Sequence, residues 1–169
     1  LKGVDKNDFT MVYGFPGRTQ EYLTSYAVDL LVNQQDPVRV KLREKRLKIM
    51  EEDMKKNDTL RLMYTSRYAG VANYYKKWSG EMQGLIKSDA VNKKKEFENN
   101  FLKLFDKDSL LKKKYSSILS ELGKYYIAYS PYSKLNDYYA ECLMGIDAIR
   151  MCGSFEKIFV ELKRKKEGK

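Results

Sequence analysis

The chain has 169 residues and a mass of 19.9 kDa, enough for one domain with its own core. Its 43% hydrophobic and 13% aromatic content excludes disorder over most of its length, and no apolar run approaches the roughly 20 residues needed to cross a bilayer. The formal charge is +10, from 33 Lys and Arg against 23 Asp and Glu, and there is no histidine, which excludes a self-contained Ser-His-Asp or Cys-His triad and His-ligated zinc.

The first residue is Leu1, no signal peptide is visible, and the chain is expected to be cut from a longer one. "DFTMVYGFPGRT" opens with strand-forming residues, 9–13, followed by Gly14, Pro16 and Gly17 as punctuation. A single strand has no partner within this sequence, so it reads as the last strand of something upstream. From Thr19 the apolar period becomes helical, with Tyr22, Leu23, Tyr26, Ala27, Leu30 and Leu31 on one face. "QQDPVRV" predicts a restart, with Asp36 as N-cap and Pro37 at the first helical position. The second helix carries Val40, Leu47, Met50 and Met54 on one side, and Asp58 is placed as the cap of the third.

The third helix contains "YTSRYAGVANYYKKWSGEMQGL", residues 64–85. Tyr64, Tyr68, Val71, Tyr75, Trp78, Met82 and Leu85 recur at alternating spacings of four and three, a heptad-like seam. Ser66, Gly70, Asn73, Gly80 and Gly84 fall almost opposite. Each Gly in a helix costs about 1 kcal/mol against Ala, so three of them predict close backbone approach by a neighbour, or local bends. Lys76 and Lys77 fall outside the seam. The aromatics are therefore read as packing and not as a stacking platform for bases.

A helix over 88–105 carries Phe97, Phe101 and Phe105. Asp108 caps the next, whose seam is Leu111, Tyr115, Ile118, Leu122, Tyr125 and Tyr129, and Pro131 is expected to break it. A helix over 135–151 carries Leu135, Tyr138, Cys142, Ile146 and Ile149. Gly153 marks a further break before a last helix over 155–166, with Phe155, Phe159 and Leu162 and a charged, fraying end. The fold class is mainly α, a bundle of six or seven helices with one short N-terminal extended segment.

Chemistry is sparse. "YGFPGRT" is Gly-rich but lacks both the phosphate-loop ending and the dinucleotide-binding spacing, so it is read as a turn. Glu51, Glu52 and Asp53 point in different directions on a helix, and Ser25, Ser66 and Ser79 have no neighbouring base. Cys142 and Cys152 are too few for a four-Cys metal site. On one helix they would lie about 15 Å apart, too far for a disulfide, and are read as buried thiols. The basic clusters at 39–48 and 112–114 are mixed with acids and read as solvated faces. The net charge keeps open a basic helical nucleic-acid-binding module, or a stand-alone protein-interaction domain, as alternatives.

The blocks "FTMVYGFPGRTQEYLTSYAVDLLVNQQDPVRVKLREKRLKIM" and "YTSRYAGVANYYKKWSGEMQGL" resemble successive segments of the bacterial serine dipeptidyl-peptidases of types seven and eleven. The specific part is the combination of "GFPGRT", "DPVRVKLREKRL" and "SRYAGVANYYKKW"; it covers residues 9–105, and beyond Lys107 the extension rests on continuity. The resemblance implies a parent several times longer, in which a chymotrypsin-like double β-barrel carries the Ser-His-Asp triad and a large inserted helical domain caps the cleft. It implies removal of dipeptides from peptide N-termini in the periplasm or at the cell surface, and homodimers formed through the barrel. Residues 1–18 would be the end of the upstream β domain with its connecting turn, and 19–169 an incomplete helical cap. The implied partners are peptide substrates and the remainder of the same chain, with no nucleic acid, no membrane span and no cofactor. No catalytic, cofactor-binding or metal-binding residue is carried over to this stretch. The amine-binding and specificity residues are expected in the barrel.

Overall fold

The computed structural model describes residues 3–14, 17, 20–105 and 108–166. Among these the chain is mainly α and contains no strand. The extended residues around Phe9 and Tyr13 form no ladder, and both side chains are almost fully exposed, at 89% and 98%. A row of apolar side chains with nothing to pair against remains extended and does not become a strand. Gly14 has φ +92°, a left-handed conformation that favours glycine. Of the turn "YGFPGRT", Phe15, Pro16, Arg18 and Thr19 lie outside the described residues.

The first helix begins later than Thr19. Helix α1 spans Ser25–Leu30, with Thr24 as its N-cap. It passes through a π turn, Leu31–Gln35, into α2, Asp36–Met54, without a break. Asp36 is thus not an N-cap. Its φ of −64° and ψ of −43° are helical, and its N–H donates to the Leu31 carbonyl five residues back. The wide turn explains why Pro37 fails to restart the helix, because the ladder has already slipped by one residue where the proline N–H is missing.

Helix α3, Asp58–Lys87, folds back on α2. Its N-cap is Asn57, not Asp58, and the Asn57 side chain accepts from the Leu60 N–H at 2.8 Å. Leu47, Met50 and Val71 form the core of this hairpin, with Tyr64, Tyr68, Ala72 and Tyr75 packed on it. The seam expected on α3 is therefore its inner face. The glycine side differs from expectation. A Cβ added at Gly70, Gly80 or Gly84 would meet nothing within 4 Å, so none of the described residues closes on these glycines.

Helix α4 spans Ala90–Leu104 and packs on α1, where both Glu98 carboxylate oxygens accept from Ser25, its N–H and its hydroxyl, at 2.6 Å each. Asp108 caps the short α5, Ser109–Tyr115, as the sequence predicts. Helix α6, Ile118–Tyr138, then runs straight through Pro131 and continues as a π turn, Tyr139–Leu143. Helix α7, Asp147–Lys166, contains Gly153. The breaks expected at Pro131 and Gly153 are absent, and the corner falls instead near Gly145. There Arg67 of α3 binds the Gly145 carbonyl at 2.7 Å and the Asp147 carboxylate. Both cysteines are free and exposed, not buried.

Candidate functional site

The most ordered chemistry lies where α2, α3 and α6 meet. On α2, Asp36, Arg39, Arg43 and Arg46 recur at spacings of three and four, so they share one face. On α6 and its π turn, Ser130, Ser133, Asp137 and Glu141 do the same. Gln35 donates to the Ser133 hydroxyl at 2.6 Å, Arg39 Nε to Asp137 at 2.8 Å, and Arg43 Nη2 to Glu141 at 2.7 Å. Each of these pairs is separated by 98 residues. A constant offset means that the two helices run parallel, in register. Arg46 adds a second cation to Glu141 at 3.1 Å.

The other side of the arginines rests on α3. The Arg39 guanidinium lies 5.2 Å from the Trp78 ring centre, and that of Arg43 lies 4.6 Å from Trp78 and 5.1 Å from Tyr74. Each guanidinium is thus layered between an aromatic ring and a carboxylate, an arrangement that a planar, delocalised cation accepts and an ammonium does not.

Asp36 is the exception in this lattice. Its side chain is fully enclosed, at 0% exposure, yet neither carboxyl oxygen has a hydrogen-bond partner among the described residues. The nearest cation, Arg39 Nη1, stands 3.8 Å away and is shared with Asp137. Burial chiefly, and then the nearby Glu81 charge, push the Asp36 carboxyl from its ordinary 3.8 up to about 7, against the opposing pull of Arg39 and Lys77. Beside this junction opens a cleft of about 910 Å³. Leu31, Gln35 and Arg39 form one wall, Lys77, Glu81 and Leu85 the second, and Lys93, Lys94 and Phe97 of α4 face them.

The sequence places no catalytic, cofactor-binding or metal-binding residue here, and among the described residues no group of His, Cys, Asp and Glu is arranged to hold a metal ion. Ser25 is buried against Glu98, Ser66 is exposed, and Ser79 accepts from Gln83 at 3.4 Å. Glu51, Glu52 and Asp53 do diverge: Glu51 accepts from the Tyr68 hydroxyl and Asp53 from Lys56. Lys113 and Lys114 are exposed, as a solvated face requires. Arg39, Arg43 and Arg46 are not solvated; they are the part-buried centre of the junction. Their spacing was visible in the sequence, but their partners, nearly a hundred residues away, were not.

The chain is similar to known proteins along its whole length. The sequence pattern of the peptidase S46 family matches residues 1–169. The chain is 43% identical over 164 residues to a Flavobacterium psychrophilum protein named Asp/Glu-specific dipeptidyl-peptidase, covering 95% of this chain and 23% of that protein. A Capnocytophaga gingivalis protein of the same name is 41% identical over 133 residues, covering 79% and 18% respectively. Dipeptidyl-peptidase 7 of C. gingivalis is 36% identical over 126 residues, covering 75% and 18%. The chain thus spans about a fifth of the length of the curated relatives it matches. Matched from end to end, this helical chain belongs to the peptidase S46 family.

Proposed function

We propose that this chain is part of a serine-type dipeptidyl-peptidase that releases dipeptides from peptide N-termini, and that it forms the first part of a helical lid over the active-site cleft. On this reading the parent enzyme works in the periplasm or at the cell surface, as a homodimer joined through its barrel. Family membership supports the activity, and the absence of histidine assigns the triad to another part of the parent.

The observation that carries the lid reading is the two-sided α3. Its aromatic face is packed on α2, while Ser66, Gly70, Asn73, Gly80 and Gly84 line a face left exposed among the described residues. Such a surface lets a second body come to backbone distance, which excludes water and fixes a short peptide near the reacting groups. The test uses the whole enzyme and a reporter peptide with an acidic second residue. Gly70→Leu and Gly80→Leu should each lower kcat/KM by about tenfold or more, ~1.4 kcal/mol in the barrier, with helical circular dichroism unchanged. Full activity in both variants would sink the lid reading. A native whole enzyme that releases no dipeptide from any reporter would sink the peptidase reading itself.

A further inference from the structure

Asp36 sits at the exit of the π turn Leu31–Gln35 and directly before Pro37, in the one stretch where the ladder of the long α1–α2 helix is already offset. A π turn of this kind is a site where a helix can change its course. The charged groups around Asp36 come from three elements. Arg39 is on its own helix, Lys77 and Glu81 are on α3, and Asp137 is on α6. Lys93 and Lys94 stand across the cleft on α4.

Asp36 has no cation of its own. Arg39 is committed to Asp137 at 2.7 Å, and Lys77 is committed to Glu81 at 2.8 Å. Asp36 has no hydrogen bond on either oxygen. A proton on Asp36 removes this enclosed, unpartnered charge. Without that proton, an uncompensated buried charge faces Glu81 on one helix and Asp137 on another.

We propose that Asp36 is a proton-operated catch at this junction. Protonated, it lets the start of α2 close on α3 and α6. Ionised, it presses against Glu81 and Asp137, the π turn yields, and the cleft between the start of α2 and the end of α3 widens. Enclosure of the carboxyl sets this change near neutral pH.

The composition makes the test unusually direct. This chain has no histidine, the side chain that ordinarily titrates near pH 7. The single tryptophan, Trp78, lies under the Arg39 guanidinium, so selectively excited tryptophan emission reports on the junction itself. Emission of the full chain should show one transition centred near pH 7 when scanned from about pH 5 to about pH 9. The transition should be absent in Asp36→Asn. In Glu81→Gln, which removes a like charge, its midpoint should move to lower pH. A flat native profile overturns the proposal, and so does a transition that survives Asp36→Asn. If Asp36→Asn does not fold, Glu81→Gln decides: an unmoved midpoint overturns the proposal. Backbone amide exchange gives the second readout. Protection in the π turn and over residues 77–85 should fall through the same pH range in the native chain, and unchanged protection there contradicts the proposed opening.

Discussion

At the scale of single residues, Asp36 has consequences for stability as well as for motion. Its carboxyl titrates near 3.8 when unfolded and near 7 when folded. Between those values the folded chain holds a proton that the unfolded chain has lost. Stability therefore falls as pH rises through this window and levels off above about pH 7. At about 1.4 kcal/mol per unit, the change amounts to a few kcal/mol. Asp36→Asn should match the native chain near pH 4 and melt at a higher temperature near pH 8, and equal melting at both values would refute the linkage. Gly123 has a different kind of constraint. A Cβ there would lie 2.6 Å from Cζ of Tyr26, so the Tyr26 ring must shift before any larger residue fits where α6 meets α1. Gly123→Ala should destabilise by about 1–2 kcal/mol, despite a helix-propensity gain of about 1 kcal/mol. In a Tyr26→Ala background the same change should become favourable, as urea midpoints would report. Neither residue could be identified from sequence. Asp36 before Pro37 has the composition of a helix start, and Gly123 has no signature apart from the ring it meets.

At the scale of elements, the parallel pairing of α2 and α6 is held by polar groups. Glu141 accepts from Arg43 and Arg46 and is almost fully buried. Glu141→Ala leaves two guanidiniums without their carboxylate and should destabilise by about 3 kcal/mol, the lower end of the range for a broken buried pair because Arg46 keeps some solvent access. Glu141→Gln retains an acceptor and should lose less, a difference measurable by urea unfolding. The open side of α3 gives the opposite expectation. Gly70→Ala, Gly80→Ala and Gly84→Ala should each stabilise the chain by up to about 1 kcal/mol, because the added methyl meets nothing and the helix propensity improves. A loss of stability would show that the face is already occupied. The α3 seam was legible because its partner is apolar, and period alone finds such faces. The α6 face was read inside out. Tyr125 and Tyr129 are apolar but exposed, while Ser133, Asp137 and Glu141 are buried. Hydrophobic period locates apolar residues. It does not locate residues that are complementary to a polar neighbour.

At the scale of the whole molecule, the chain exposes 14308 Å², against roughly 8,700 Å² for a compact protein of this mass. Large apolar side chains contribute to the excess. Phe97, Tyr125, Tyr132, Leu135 and Phe159 are among many large side chains in solvent. Surface of this kind marks contact with other bodies, which is the expectation for a lid seated on a larger enzyme. It also places Cys142 and Cys152 within reach of solvent. Both thiols should react with an aromatic disulfide reagent in the native chain about as fast as in urea, and a single reactive thiol would contradict the exposed position of one of them.

The sequence by itself determined the helical class, the aromatic seam of α3, the Asp108 cap, the lack of a self-contained triad and the family. These are local or compositional properties: period, capping chemistry, residue inventory and motif order all act over a few residues or a single turn. Only the tertiary structure decided that Pro37, Pro131 and Gly153 lie within helices, that Arg39 and Arg43 are part-buried between rings and carboxylates, and that Asp36 is enclosed without a hydrogen-bond partner. Each of those depends on groups from helices far apart in sequence. Where a helix ends, and what charge a carboxyl carries, is settled by what packs against it.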